Sequence, residues 1–325
     1  MNYNETIEGI LKGSRKHLAK AISLLESYRE DDLLIAQNLL DELMPSTGKS
    51  YRIGITGIPG VGKSTFIEAF GEEILKFEPK KKIAVITIDP SSPKRGGSIL
   101  GDKVRMNSLS RHENVFVRPS PSKGEQGGGA LKTYETCLLM EAAGYDIIII
   151  ETLGVGQSEY KVGQMVDAFL LLHMPATGDE LQGMKRGILE LVDLLIINKC
   201  DGKLEHEGKL NKKIFEQVFH LSATKKKWSP PVLLASSKEK EGVGVVWQEL
   251  KKFLLHQKKT RDFQKKRENQ ALECFNQQLI FKLNKKIREK ETKLLSYEAI
   301  QEKIKNGLLC PSKAAQIVLE NLMKA

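Results

Sequence analysis

The segment GIPGVGKST, at residues 57–65, is the part of the chain best suited to bind phosphate. It matches the pattern G-x-x-x-x-G-K-[ST] and directly follows the apolar run RIGIT. Glycines let backbone N–H groups face phosphate oxygens, Lys63 brings a catalytic ammonium group to them, and Ser64 offers a hydroxyl to Mg²⁺. We therefore predict a strand, a phosphate-binding loop and a helix. The predicted nucleotide-binding residues of the loop are Gly57, Ile58, Pro59, Gly60, Val61, Gly62, Lys63, Ser64 and Thr65.

A second acidic group follows the four consecutive isoleucines at residues 147–150. This apolar run predicts a buried strand that ends at Glu151, and Gly154 follows three residues later. The arrangement resembles a D-x-x-G motif in which glutamate replaces aspartate. We predict that Glu151 binds Mg²⁺, directly or through a water, and acts in catalysis. Gly154 would donate its backbone N–H to the γ-phosphate. The alternative is that Glu151 only ends a strand.

Two later segments are suited to recognise a guanine base. The motif N-K-x-D (Asn198, Lys199 and Asp201) follows the apolar run LLII, so a strand should present it. The Asp201 carboxylate can accept hydrogen bonds from guanine N1–H and N2–H₂, a pair of donors that adenine lacks. Asn198 would brace the nucleotide loops, while the aliphatic part of Lys199 lies along the base. Ser236 and Ser237 end another apolar run, where contact with guanine O6 is expected.

Further candidate residues lie in glycine- and proline-rich segments that are typical of switch loops. Asp89 and Asp102 are predicted metal ligands because acidic groups beside a phosphate site favour a cation. Arg105 is a candidate to stabilise negative charge on the γ-phosphate, and Gln157 is a candidate to orient the attacking water. Lys185 would join the site when a partner binds. For each residue the alternative is an ordinary charged or polar position in a loop or at a helix start.

The elements that must position these residues are short apolar runs separated by helical stretches. The runs are RIGITG, KIAVITI, NVFVRP, DIIIIE, AFLLLH, LLIIN and PVLLA. Several are apolar throughout, as expected for strands of a parallel sheet that is covered on both faces. We predict an α/β P-loop GTPase domain over residues 49–256, with a doubly wound, mainly parallel sheet. Ligands of such sheets bind at the carboxyl ends of the strands.

Helical extensions are predicted on both sides of this domain. Residues 1–48 have helical apolar spacing that indicates two amphipathic helices with a break near Arg29–Asp32. Residues 257–325 contain no strand pattern. An apolar stripe at Leu279, Ile280, Leu283 and Ile287 could pack on the same chain or on a second subunit. We favour a homodimer, because the α/β core is complete without this arm.

Composition narrows the possible environments and partners. The net charge of +10 is concentrated in the tail, but its basic segments at residues 256–267 and 282–293 contain one aromatic residue, Phe263. A solvated helical face explains them at least as well as a nucleic-acid surface, and no nucleic-acid partner is expected. No apolar run is long enough to span a membrane. The four cysteines form no C-x-x-C pair, and no secretory signal is visible, so we predict a cytoplasmic protein with no membrane partner.

Four long segments together resemble the MeaB/ArgK-type GTPases, the family that includes the methylmalonic aciduria type A protein. They lie at residues 57–65, 89–106, 151–159 and 178–201, in that family's order. The resemblance implies a homodimeric GTPase that converts GTP to GDP and chaperones an adenosylcobalamin-dependent acyl-CoA mutase. In that role it gates cofactor loading and protects or reactivates a mutase, usually methylmalonyl-CoA mutase. It also implies that residues 178–187 form a third switch, and that phosphate and metal are served by Lys63, Ser64, Asp89, Asp102 and Glu151.

Two departures and two other functions stay open. LLHMPATGDE and the final ASS differ from the family's usual residues, which affects the response to a partner more than nucleotide binding. A metal-insertion GTPase would need a Cys/His cluster, whereas the cysteines and histidines here are dispersed. A kinase or transport ATPase would bind ATP, which Asp201 disfavours.

Overall fold

The computed structural model describes residues 3–89, 106–121, 128–152, 158–175, 186–222, 228–291 and 297–324. The chain divides into two compact units, Met1–Gln270 and Ala271–Ala325. The first unit contains the predicted α/β domain and the N-terminal extension. No helix among the described ranges is long and apolar enough to cross a membrane.

All seven predicted strands form one parallel sheet, which confirms the predicted fold class. The strand order is β3-β2-β4-β1-β5-β6-β7, so β1 lies in the middle. Ile55 of β1 pairs with Glu151 of β4, and this register places the phosphate loop beside the predicted metal acid. The strands are β1 Tyr51–Thr56, β2 Ile83–Asp89, β3 Val115–Pro121, β4 Ile147–Glu151, β5 Ala168–His173, β6 Leu194–Ile197 and β7 Val232–Leu234.

Helices flank both faces of the sheet. Those of the first unit are α1 Tyr3–Leu11, α2 Arg15–Leu25, α3 Glu30–Leu43, α4 Lys63–Phe77, α5 Asn107–Arg111, α6 Gly128–Ala142, α7 Ser158–Met165, α8 Arg186–Leu189, α9 Glu205–Ser222 and α10 Val243–Lys259. A further helix, α11 (Asp262–Glu291), begins in the first unit and ends in the second.

Strand β4 shows why its sequence is apolar throughout. Ile148 and Ile150 belong to the core that packs on α1–α3 and α6, whereas Ile147 and Ile149 belong to the core that packs on α4 and α10. Because side chains alternate across a strand, a strand covered on both faces needs an apolar residue at every position. The isoleucine run therefore reflects two cores.

The N-terminal extension contains three helices, α1–α3, and not the two that the periodicity predicted. The missed break lies at Gly13, whose φ of +76° places it in the left-handed region. Glycine adopts this conformation readily and so can end a helix. The predicted break near Arg29–Asp32 is confirmed, since α2 ends at Leu25 and α3 begins at Glu30.

A cluster of buried charges lies at the edge of the sheet where β1 and β5 begin. Arg267 of α11 donates from Nε and Nη2 to Asp167, at 2.5 and 2.7 Å, and from Nη1 to Glu141 at 2.8 Å. Arg52 of β1 donates from Nε to Glu141, at 2.8 Å. The prediction that residues 256–267 form a solvated face was therefore wrong at Arg267, whose side chain is only 11% exposed.

The described part of the second unit is helical, as predicted for the C-terminal extension. After the end of α11 it contains α12 (Tyr297–Lys305) and α13 (Pro311–Lys324). These helices share a small apolar cluster of Ile300, Ala314 and Val318. Gly307, with a φ of +69°, lies between them, and the proline at the start of α13 suits a first helical position.

Candidate functional site

The predicted phosphate loop connects β1 to α4. Gly57 and Gly62 have φ values of +149° and +92°, which favour glycine. A Cβ at Gly57 would lie 2.4 Å from the carbonyl oxygen of Leu172, and one at Gly62 would lie 2.9 Å from Nδ2 of Asn198. The loop thus has no room for side chains where it passes β5 and the N-K-x-D motif. The backbone of the loop can therefore face a ligand, and the N-terminus of α4 is directed at the same ligand position.

Lys63, the first residue of α4, folds back over this loop. Its Nζ donates to the carbonyl oxygens of Gly57, at 2.8 Å, and Ile58, at 3.2 Å. Burial lowers the pKa of the Lys63 ammonium, although Glu151 and Glu159 oppose this shift. The ammonium therefore lies within the loop, where phosphate oxygens of a bound nucleotide would replace carbonyl oxygens as acceptors.

Two of the predicted metal ligands, Ser64 and Glu151, have described side chains, and these lie next to each other. Ser64 Oγ donates to Glu151 Oε1 over 3.0 Å, and the Glu151 carboxylate is largely buried. Directly after Glu151, Thr152 donates from Oγ1 to Thr56 Oγ1 over 2.8 Å, so the ends of β1 and β4 are joined. A hydroxyl and a carboxylate are oxygen ligands of the kind that Mg²⁺ prefers, so these residues fit the expected ion.

A cavity of about 420 Å³ lies beside the N-K-x-D motif. Asp201 lines it, and Asp201 Oδ1 accepts a hydrogen bond from Ser236 Oγ over 2.6 Å. Ser236 therefore holds the carboxylate that is predicted to read guanine. The other lining residues are Cys200, Gly202, Glu205, Lys209, Leu234, Ala235, Glu239, Glu241 and Gly242.

The remaining motif residues connect this cavity to the phosphate loop. Asn198 Nδ2 donates to the carbonyl oxygen of Val61 over 2.8 Å, and Lys199 Nζ donates to that of Gly60 over 2.7 Å. Asn198 Oδ1 accepts from both the backbone N and the Oγ of Ser237, at 3.0 and 2.6 Å. Lys199 has a φ of +62°, an uncommon conformation for a residue with a side chain, and it coincides with the contact to Gly60.

The structure brings the phosphate-loop, metal and guanine candidates to one edge of the sheet, the carboxyl ends of β1, β4, β6 and β7. Asp89 is the last residue of β2, where it pairs with Pro121, but its side chain lies outside the described part. Five other predicted site residues lie outside the described residues: Asp102, Arg105, Gly154, Gln157 and Lys185.

Sequence reasoning missed Thr56 and Thr152, which join the two strand ends that present the phosphate loop and Glu151. No local motif marks this pair, because the two residues are 96 positions apart. It also missed the contribution of Cys200 and Glu241 to the cavity wall. Among the described residues, no group of three or more His, Cys, Asp or Glu side chains could hold a metal ion.

The fold and the site define a P-loop GTPase. The profile of the family described as "Methylmalonyl Co-A mutase-associated GTPase MeaB" matches residues 18–292. The GTPase ArgK of Escherichia coli is 44% identical over 275 residues, which cover 84% of this chain and 82% of ArgK. A mouse protein named "Methylmalonic aciduria type A homolog, mitochondrial" is 38% identical over 329 residues, with 96% of this chain and 77% of the mouse protein covered.

A solved structure titled "LAO/AO transport system kinase" superposes with a TM-score of 0.78 at 34% identity, and covers 99% of this chain and 97% of the other. The family profile spans most of the chain, and the relatives match over most of their lengths. This chain belongs to the MeaB/ArgK family of GTPases.

Proposed function

We propose that this protein is a Mg²⁺-dependent GTPase that regulates an adenosylcobalamin-dependent acyl-CoA mutase of the methylmalonyl-CoA mutase type. It gates cofactor loading and protects or reactivates the mutase, in the cytoplasm. The observation that carries the GTPase part is that the N-K-x-D motif, which ends at Asp201, is hydrogen-bonded to the phosphate loop through Asn198 and Lys199. The mutase part is supported by the family description and by the name of the mouse relative.

In this proposal the described residues divide the work of nucleotide binding. Asp201 pairs with the guanine edge, and Ser236 keeps its carboxylate in position. The phosphate loop binds the phosphates through backbone N–H groups and Lys63. Ser64 and Glu151 hold Mg²⁺, which neutralises charge on the phosphate oxygens when bound. Asp89, Asp102, Arg105, Gly154, Gln157 and Lys185 stay predicted contributors.

The first experiment separates nucleotide choice from partner choice. Calorimetric titration with GDP and ADP, with and without Mg²⁺, should show Mg²⁺-supported binding of GDP at least 100-fold tighter than that of ADP. Lys63→Ala should abolish tight GDP binding, whereas Lys12→Met, which removes an exposed charge paired with Glu8, should leave it unchanged. Equal affinity for ADP would overturn the guanine assignment and favour the kinase or transport ATPase alternative.

The second experiment tests the mutase. GTP hydrolysis is measured alone and with a purified adenosylcobalamin-dependent acyl-CoA mutase from the same source, and we expect faster turnover in its presence. Unchanged turnover together with no complex by light scattering would refute the mutase assignment and leave the GTPase intact. Stoichiometric nickel or zinc binding in equilibrium dialysis would instead support the metal-insertion alternative.

The homodimer is also part of the proposal, and α11 supports it. Its second-unit portion exposes a row of large apolar side chains at helical spacing: Leu272, Phe275, Leu279, Ile280 and Leu283. Exposed apolar rows of this kind mark association surfaces. Light scattering should give the mass of a dimer for the native protein and of a monomer for Leu279→Lys combined with Leu283→Lys. The control is Lys282→Ala on the same helix, and a native monomer would contradict the proposal.

A further inference from the structure

Ser237 makes a contact that its predicted role does not need. Its Oγ donates to Asn198 Oδ1 over 2.6 Å, and its backbone N donates to the same oxygen over 3.0 Å. Both side chains are buried, with Ser237 5% and Asn198 1% exposed. The amide of Asn198 in turn donates to the carbonyl oxygen of Val61 in the phosphate loop. A chain of hydrogen bonds therefore runs from the base side of the site to the phosphate side.

The two donors of Ser237 share one acceptor oxygen, which has two lone pairs, and guanine would present a second acceptor. Ser237 directly follows Ser236, which lines the base cavity. The predicted ligand of Ser237 is guanine O6. If the backbone N–H were the only donor from residue 237 and turned to O6, the buried oxygen of Asn198 would lose that donor. An unsatisfied buried acceptor is unfavourable. The Ser237 hydroxyl prevents this loss, because it keeps Asn198 Oδ1 hydrogen-bonded while the backbone N–H of Ser237 binds the base.

We propose that Ser237 is a positioning residue that lets the base loop bind guanine O6 without releasing Asn198 from the phosphate loop. The inference rests on the proposed GTPase function. It assigns the Ser237 hydroxyl to Asn198, and only the backbone N–H to the base. Alanine at this position could keep the N–H but not both contacts, whereas threonine retains a hydroxyl.

The test compares Ser237→Ala with Ser237→Thr and with Ser50→Ala. Ser50 is a matched control, because it is also buried and its hydroxyl also donates within the protein, to the carbonyl of Tyr145, at the opposite edge of the sheet. Ser237→Ala should weaken GDP binding about tenfold. Ser237→Thr and Ser50→Ala should stay within about twofold of the native protein. The nucleotide-free Tm of Ser237→Ala should remain near native, since the backbone N–H still bonds Asn198, while the Tm increase on adding GDP shrinks.

A double-mutant cycle identifies the route of the effect. If Ser237 acts through Asn198, then Asn198→Ala and the double variant Asn198→Ala with Ser237→Ala should bind GDP equally, so the penalties are not additive. Additive penalties, or native-like GDP affinity of Ser237→Ala, would refute the inference while native GDP binding upholds the proposed function. If the native protein bound no guanine nucleotide, the proposed function would fail with it.

Discussion

Removal of Arg267 should destabilise the first unit more than any loss of a surface charge. The Arg267 guanidinium contacts Asp167 and Glu141, whose carboxylates are 0% and 1% exposed, and it also donates to the carbonyl oxygen of Ser50 over 2.9 Å. In Arg267→Met the apolar volume of the side chain is largely kept. Asp167 then retains the backbone N–H of Arg52, at 2.6 Å, as a donor, but it loses the facing positive charge.

The expected size follows from this burial. Breaking a buried ion pair by removal of one partner costs about 3–5 kcal/mol, because the remaining charge stays buried without compensation. Glu141 is affected less than Asp167, since it keeps Arg52 Nε and the backbone N–H of Gly48. We expect a loss of about 4 kcal/mol, a large part of the roughly 5–15 kcal/mol by which proteins are stable. For a domain of this size the Tm should fall by roughly 10 °C.

The assay is urea unfolding followed by circular dichroism, with thermal melts in parallel. Lys12→Met is the control, since its pair with Glu8 is 76% and 68% exposed and such pairs contribute under about 1 kcal/mol. Arg267→Met combined with Asp167→Asn removes both charges and should recover part of the loss. If Arg267→Met lost no more stability than Lys12→Met, Asp167 would not be a compensated buried charge and the reasoning would fail.

The same cluster predicts how stability depends on pH. Burial acts to raise the pKa of Glu141, but Arg52 and Arg267 outweigh it, and the net shift is downward. A carboxyl group whose pKa is lower in the folded state stabilises the protein above its unfolded pKa, and this contribution is lost as the pH falls through the folded value. Stability should therefore decline below about pH 4. In Arg267→Met this decline should be smaller, because one of the cations that lowers the pKa of Glu141 is gone and its folded and unfolded pKa values lie closer together.

Three further predictions concern the site and the thiols. Asp201→Asn should lower the affinity for GTP at least 100-fold and raise the affinity for xanthosine triphosphate, because the C2 carbonyl of xanthine accepts a hydrogen bond from the new amide. Competition titration measures both affinities, and an unchanged affinity for GTP would contradict the base assignment. Glu151→Gln should raise the Mg²⁺ concentration needed for hydrolysis about tenfold or more, which a Mg²⁺ titration of GTP turnover measures. An unchanged Mg²⁺ requirement would exclude Glu151 from the metal site. Alkylation should modify exposed Cys310 first and Cys200 slowly, as followed by mass spectrometry. Burial raises the pKa of Cys200 to about 11, whereas hydrogen bonds with Ser312 lower the pKa of Cys310. Faster labelling of Cys200 would contradict this order.

The sheet could be predicted from the sequence because its signal is local. Each strand is an apolar run between turns, and β4, β5 and β6 are buried at every position. The phosphate loop and the N-K-x-D motif are local as well, since each requires adjacent residues directly after a strand. Gly13 was missed because one glycine among amphipathic residues does not show whether its φ is positive.

The contacts that complete the site could not be predicted, because they join residues far apart in the chain. Thr56 and Thr152 meet only once β1 and β4 are neighbours, and Asn198 meets Val61 only once β6 lies two strands from β1 in the sheet. A serine beside another serine likewise does not show that one hydroxyl serves Asp201 and the other Asn198. Such roles depend on strand order, which composition and periodicity do not reveal.

The start of α11 shows a different reason for failure. Phe263, Arg267 and Gln270 have the i, i+4, i+7 spacing of one helix face, yet two of the three are polar, so the face resembles a solvated one. In the structure Phe263 packs edge-on against Tyr51, Arg267 joins the charge cluster, and Gln270 donates to the carbonyl oxygen of Val166 over 2.8 Å.

These polar contacts restrict where α11 can begin. An apolar face would tolerate a shift by one helical turn, because apolar contact has no direction. A shift of the charge cluster would leave the buried carboxylates of Asp167 and Glu141 without Arg267, at a cost of several kcal/mol. We infer that the cluster selects one docking position for the first turns of α11. The double variant Arg267→Met with Asp167→Asn separates these two roles of the cluster. It regains stability, because both buried charges are gone, but the first turns of α11 lose their single docking position. Residues 262–270 should therefore show weaker protection in hydrogen exchange.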